Sequence, residues 1–447
     1  MARSDHWPIG VRSIDLSAPL VPVTGVHRYA RVRFFVTRGE ELLGAVDVWN
    51  HGSPVISVNQ LADALATRFC LQLFQERLSR QLSDASTQRA EACPATTVSI
   101  VVPTCDRPED LRRCLESLIA QRTRHQVEVI VVDNRPSSGT ARSVAADFPS
   151  VRLVEERRPG LSFARNAGIR HATGEIIVAT DDDVVAPATW IEKLVEPFGR
   201  PEVVAVTGNV LPLELEAEAQ CRFEAYGGLG KGFDRFFVDG AWFRSRRAAV
   251  PTWLIGATAN AAFRAWIFRD PEIGPMDEAL GAGTPTGCSE DTYVFYRILK
   301  AGHTIVYEPS AYVWHRHRDT MTNLRRQIYA YSKGHVAYHL TTWLRDGDRR
   351  ALVRLGYSLP KTYARRALER IRGRSEYPLS LILLEIAGNV AGPLALWRSR
   401  RRARRLGVDG VEQEWLSRPA EARPASHSAE HSHAVPMEGS VTEGPTA

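Results

Sequence analysis

Between residues 98 and 180 the chain repeats one pattern, and that pattern leaves few folds open. Short apolar runs at 98–102, 127–132, 151–154 and 175–180 are separated by amphipathic stretches at 108–121, 139–148 and 161–172. Strands that are apolar along their whole length are buried on both faces, and strands joined by helices run parallel. The segment therefore predicts an α/β fold, a mostly parallel sheet covered by helices. Ligands of such sheets bind beyond the carboxyl ends of the strands. Here those ends hold residues 103–106, Asp133 and the run Asp181, Asp182, Asp183.

The flanking regions are less regular. Residues 1–26 read as a loose, disordered leader. Residues 27–82 read as a small α+β module, with strands at 31–36 and 42–49 and a helix at 60–82 whose apolar positions recur every three or four residues. A polar linker at 83–96 leads into the α/β domain at 97–320. A basic helical region follows at 321–410, then a Pro-, Ser-, Glu- and His-rich tail at 411–447 expected to be disordered.

Composition excludes some functions. A charge of +6 over 447 residues is too small to indicate a nucleic-acid partner. Six cysteines without a CxxC pair give neither a disulfide framework nor a structural zinc site. The N-terminus lacks the charged start and apolar run of a signal peptide, so the catalytic part is expected in the cytoplasm. Residues 377–397 have roughly the ~20-residue length that crosses a bilayer, but Glu385, Gly388, Asn389 and Pro393 oppose a lipid-exposed span. A buried or interfacial helix pair fits better, with the arginine-rich 398–405 segment meeting an anionic membrane surface. A helical cap with a solvated basic face is the alternative.

Three adjacent carboxylates repel one another, and a hard divalent cation between Asp181 and Asp183 would neutralise them. A solvated acidic turn is the plain alternative for the triplet alone. The surrounding motifs decide between the two. Val98-Ser-Ile-Val-Val-Pro-Thr-Cys-Asp-Arg-Pro108, Val131-Val-Asp-Asn134, Gly160-Leu-Ser-Phe-Ala-Arg-Asn-Ala-Gly168 and the triplet are followed by Ser289-Glu-Asp-Thr-Tyr-Val-Phe-Tyr-Arg-Ile-Leu-Lys-Ala-Gly302, Tyr307-Glu-Pro309 and Val313-Trp-His315. In that order, over about residues 96–320, they resemble the family 2 glycosyltransferases of GT-A fold. The closest look is to bacterial rhamnosyl- and galactofuranosyl-type enzymes.

The resemblance implies an inverting transfer of a sugar from a UDP-, dTDP- or GDP-linked donor to the hydroxyl of a saccharide or lipid-linked acceptor, with Mg²⁺ or Mn²⁺. Cell-envelope polysaccharide or glycolipid synthesis would be its setting, and glycosylation of a secondary metabolite is the alternative. It places Pro103, Thr104, Asp106, Asp133, Arg165, Asn166, Asp181 and Asp182 around the nucleotide-sugar, and Asp181, Asp183 and His315 on the metal, with His317 as competitor for the last position. Asp291 is implied as general base and Glu290 as orienting the acceptor, with Trp253 and Asn260 on the acceptor side. A helix starting at Glu290 also places Asp291 where the backbone favours negative charge. Gly281, Gly283 and Gly287 imply a loop that closes over substrate.

Two rivals remain from other classes. A non-catalytic GT-A relic acting as a scaffold has no use for Asp133, Asp181, Asp183 and Asp291 together. A sugar nucleotidylyltransferase would carry a Gly-rich phosphate loop where this chain has Pro-Thr-Cys-Asp-Arg-Pro.

Overall fold

A computed structural model describes residues 7–83, 94–375, 377–407 and Trp415. The start of the expected leader, most of the linker, residues 408–410 and the tail apart from Trp415 lie outside the described residues.

The N-terminal unit runs β1 (Ile9–Asp15), β2 (Val23–Thr24), β3 (Arg31–Arg38), β4 (Glu41–Trp49), β5 (Val55–Ile56) and α1 (Val58–Ser83). The leader reading at 1–26 is corrected here, because β1 pairs in parallel with β3. Pairing to a distant strand leaves no local signal in a proline-punctuated stretch, which is why periodicity missed it. Val32, Phe34 and Val36 of β3 pack against Leu61, Leu65 and Phe69 of α1. At Gly44 of β4 a Cβ would sit 2.8 Å from the Phe69 ring, so only glycine lets the helix approach this closely.

The central unit begins with β6 (Thr97–Thr104), α2 (Pro108–Ile119), β7 (Gln126–Asp133), α3 (Thr140–Ala145), β8 (Val151–Glu155), α4 (Leu161–His171) and β9 (Ile176–Thr180). Strands β8, β7, β6 and β9 form a continuous parallel sheet. Successive residues of β6 serve opposite cores, Ile100 and Val102 packing on the α2 side and Val101 on the α4 side.

The second half comprises β10 (Val184–Val185), α5 (Trp190–Val195), β11 (Val203–Pro212), α6 (Glu218–Tyr226), β12 (Phe236–Val238), α7 (Gly240–Ser245), β13 (Asn260–Arg264), α8 (Glu290–Lys300) and β14 (Thr304–His315). It extends the sheet in the order β9-β13-β11-β14-β10, with β12 on β14. β13 runs antiparallel to both neighbours, while β11 and β14 are parallel to each other. The sheet is thus mostly parallel with antiparallel insertions, in an α/β fold.

One irregularity positions the site. The register between β11 and β14 jumps from Gly208↔Glu308 to Asn209↔Tyr312, so the Tyr307-Glu308-Pro309 motif opens a bulge. A Cβ at Gly208 would fall 1.9 Å from the Ala311 carbonyl, which makes glycine obligatory. Beyond the bulge β14 continues to His315, where β10 pairs with it as Val184↔His315.

The C-terminal region is helical, with α9 (Met321–Asp346), α10 (Arg350–Val353), α11 (Leu359–Ile371) and α12 (Leu379–Leu406). The apolar 377–397 stretch and the arginine tract after it form one helix rather than two segments. Gly388 and Gly392 lie against Ser332 and Val336, so α12 packs closely on α9. Glu385 is fully buried and accepts hydrogen bonds from Arg366, Tyr363 and Tyr377.

Candidate active site

The carboxyl ends of β6, β7 and β9 bring Thr104, Asp133 and Asp181–Asp183 to one edge, as their register requires. Asp183 adjoins β10, so the pairing of β10 with β14 sets it beside His315. Its Oδ1 lies 3.3 Å from His315 Nε2. One ligand atom from each of Asp181, Asp183 and His315 lies within 4.8 Å of the others. Asp183 is buried, and its Oδ1 makes no hydrogen bond. Two carboxylate oxygens and an imidazole nitrogen suit Mg²⁺ or Mn²⁺, and an orphaned buried oxygen is what an expected cation would satisfy.

The electrostatics agree with that fit. Burial opposes the charge on Asp183, but His315 and Arg107 outweigh it and hold this carboxyl well below its usual range. For His315, burial is outweighed by the charge of the neighbouring Asp183 carboxylate, which raises it.

Asp182 has a different task. It is buried, accepts from Thr104 Oγ1 at 2.7 Å and from Arg107 at 3.0 Å, and burial pushes it up to about 6. Both of its oxygens are engaged internally, and so is the Thr104 hydroxyl. These two residues, expected around the nucleotide-sugar, brace the strand tip through their side chains. Arg107 ties the brace to Asp183 at 2.6 Å. It stands in the first quoted motif, yet nothing in spacing assigned it a role.

Arg165 is likewise internal. It is 1% exposed, and its guanidinium divides between Asp181 and Glu290, at 2.7 Å each. Arg165, expected to face the nucleotide, and Glu290, expected to orient the acceptor, are thus paired with each other. Burial and the neighbouring Asp291 raise Glu290, with Arg165 opposing. Asn166 spends its amide on both backbone groups of Met276, holding that segment rather than a ligand.

Asp133 is buried, accepts from the Arg135 backbone N–H at 2.9 Å and is raised by burial. Pro103 is buried within β6, and Asp106 is exposed, bonded to Arg135 at 2.8 Å. These residues line the β6–β7 edge.

Asp291 is half-buried at the start of α8, with Oδ1 accepting from Thr292 N–H and Oγ1. Ser289 before it sits at φ 82, a strained conformation for a non-glycine residue of the sort found at functional sites. Lys231, one of five lysines in an arginine-rich chain, is near enough for Asp291 to influence its charge. Its rarity was the only signal for it in the sequence.

The two residues expected on the acceptor side both have internal partners. Asn260 is 0% exposed, and its amide serves Trp190, Asn209 and Ala311. It ties β13 into the sheet. Trp253 packs edge-on against His335 of α9 at 4.8 Å, with Arg354 over its ring. The glycine loop is also pinned, through Leu161 to Ala282, Gly281 to Cys288 and Arg402 to Gly283.

The chain is similar to known proteins over part of its length. Residues 99–216 match the model of the family described as glycosyl transferase family 2. That match covers one segment of the chain rather than its whole length. It is 30% identical over 241 residues to a pre-mycofactocin glycosyltransferase of Mycobacterium tuberculosis, covering 52% of this chain and 44% of that one. It is 31% identical over 118 residues to the glycosyltransferase AglE of Haloferax volcanii, covering 25% of this chain and 39% of that one. The chain thus spans less than half the length of these curated relatives. Among solved structures it is similar to the mannosyltransferase PcManGT from Pyrobaculum calidifontis in complex with GDP-Man and Mn²⁺. That similarity has a TM-score of 0.46 and 20% identity, and covers 74% of this chain and 97% of the other.

Proposed function

We propose that the chain transfers a sugar from a nucleoside-diphosphate sugar to an acceptor hydroxyl, with inversion at the anomeric carbon, in cell-envelope polysaccharide or glycolipid synthesis. One observation carries the reading. Arg165 joins Asp181 of the triad to Glu290 beside Asp291, and this adjacency supports one substrate basin bordered by the donor-side acids and the half-exposed Asp291. Asp181, Asp183 and His315 would hold Mg²⁺ or Mn²⁺, which when bound would neutralise the departing diphosphate. Arg318, whose charge reaches both Asp183 and His315, adds positive charge on that side. Across the basin Asp291 takes the proton of the attacking hydroxyl.

The test is calorimetric titration with UDP, dTDP and GDP, each with Mn²⁺ and again with EDTA. Metal-dependent binding of one nucleotide is expected, and it names the donor class. No binding to any of them by folded protein overturns the reading in favour of a scaffold role.

The same proposal places the protein in the cytoplasm, peripheral on the inner face of the cell membrane. Leu383, Ile386, Val390, Leu394 and Trp397 leave an apolar stripe exposed along α12 while its other face packs on α9. Exposed Arg398, Arg401 and Arg405 continue it. Apolar insertion flanked by arginines matches an anionic bilayer surface, each arginine contributing about 1 kcal/mol. Sedimentation with phosphatidylglycerol vesicles but not with phosphatidylcholine vesicles is expected, and equal partition between them would remove the membrane from the proposal.

A further inference from the structure

Behind His315 a line of hydrogen bonds leads out of the catalytic domain. His315 Nδ1 is 2.9 Å from His317 Nδ1. His317 Nε2 is 2.9 Å from Glu224 Oε1, and Glu224 Oε2 is 3.3 Å from Arg33 NH1 on β3 of the N-terminal unit. His317 is 3% exposed, its ring held edge-on by Phe223 at 4.9 Å. Arg33 is fixed in turn by Asp47, at 2.8 and 3.1 Å. Glu224 and Arg33 also line a cleft of about 510 Å³ between the two units, behind the triad rather than over it.

The chemistry of the partners orients this line. An ionised carboxylate only accepts, so His317 Nε2 carries a hydrogen and donates to Glu224. With a cation rather than a proton at His315 Nε2 both rings are neutral, and His317 Nδ1 is then bare and accepts from His315 Nδ1–H. That leaves the lone pair of His315 on Nε2, the atom that faces Asp183. Histidine ligands commonly have their other nitrogen fixed this way, and the partner sets both tautomer and ring orientation.

We infer that Glu224 and His317 are positioning residues that hold His315 as an Nε2 ligand, and that Arg33 makes the N-terminal sheet part of the metal site. This rests on the metal reading above, and it gives the N-terminal unit a task that its own sequence does not show. His317, set aside as the competing ligand, supports His315 instead.

The experiment is Mn²⁺ binding to the full chain without nucleotide, followed by loss of the free-ion paramagnetic resonance signal. Wild-type protein that binds no Mn²⁺ overturns the metal reading itself. Given wild-type binding, His317→Phe, which keeps the buried ring, is expected to weaken Mn²⁺ affinity about 10–100-fold. Asn and Gln variants separate a relay from mere packing. An Asn amide falls near the place of Nδ1 and can still accept from His315, whereas a Gln amide falls near Nε2 and can reach only Glu224. His317→Asn should therefore bind Mn²⁺ more tightly than His317→Gln. The reverse order, or wild-type affinity in all three variants, overturns the relay. Arg33→Ala should weaken binding less than Glu224→Leu. No loss in Arg33→Ala removes the N-terminal sheet from the site.

Discussion

The two acidic clusters at the end of β9 and the start of α8 share Arg165 but are built in opposite ways. Around Asp181–Asp183 stand Arg107, Arg165 and His315, so positive groups surround the acids. Around Glu290–Asp291 only Arg165 forms an ion pair among the described residues, and Lys231 supplies charge from further off. Asp183 is held low in consequence, while Glu290 is raised. In each cluster one acid is buried against an arginine as a brace, Asp182 in the first and Glu290 in the second. Adjacent carboxylates thus receive different tasks from burial and partners rather than from residue type.

The largest expected effect breaks the second cluster. Asp291→Asn removes the acceptor-side base and should lower turnover about 10²–10⁴-fold with nucleotide affinity nearly unchanged. Unchanged turnover with the true acceptor would sink the assignment. Next, Arg165→Met removes the residue shared by both clusters and leaves Glu290 buried without its partner. Loss of one member of such a pair costs about 3–5 kcal/mol, which urea unfolding would register. Adding Glu290→Gln should recover much of it. Equal stability of Arg165→Met and wild type would show that the clusters stand independently.

Asp183→Ala should weaken nucleotide binding in Mn²⁺ while leaving the weaker binding in EDTA as it was. A loss of equal size in both conditions would argue against a ligand role. The smallest effect concerns Asp182, whose folded value of about 6 lies above its ordinary 3.8. A raised carboxyl contributes stability that is complete below the unfolded value and is lost as pH rises through the folded one. The stability difference between wild type and Asp182→Asn should therefore change between pH 3.8 and about 6 and be level outside that window. A difference independent of pH across the window would contradict the burial of this acid.

Much of the parallel half of the sheet is legible because its information is local. Each strand from 97 to 180 is an apolar run, each crossover is a helix, and the tips fall where the runs end. The acids at those tips, and Asp291 at a helix start, can be found by position. Their partners are less accessible. Nothing near Arg165 indicates that it turns inward to Glu290, 125 residues away, nor anything near Asn260 that its amide is spent inside the sheet. The strand β1 was missed for the same reason, since its partner β3 lies beyond two turns.

By itself the sequence determined that this chain forms a helix-covered sheet with acids at its strand ends, because periodicity and strand termini are properties of neighbouring residues. Tertiary structure decided which acids face the basin and which brace it, because burial and ion pairing depend on residues brought together from distant segments. The pairing of β10 with β14 is the clearest case: a two-residue strand too short to read in sequence sets Asp183 beside His315.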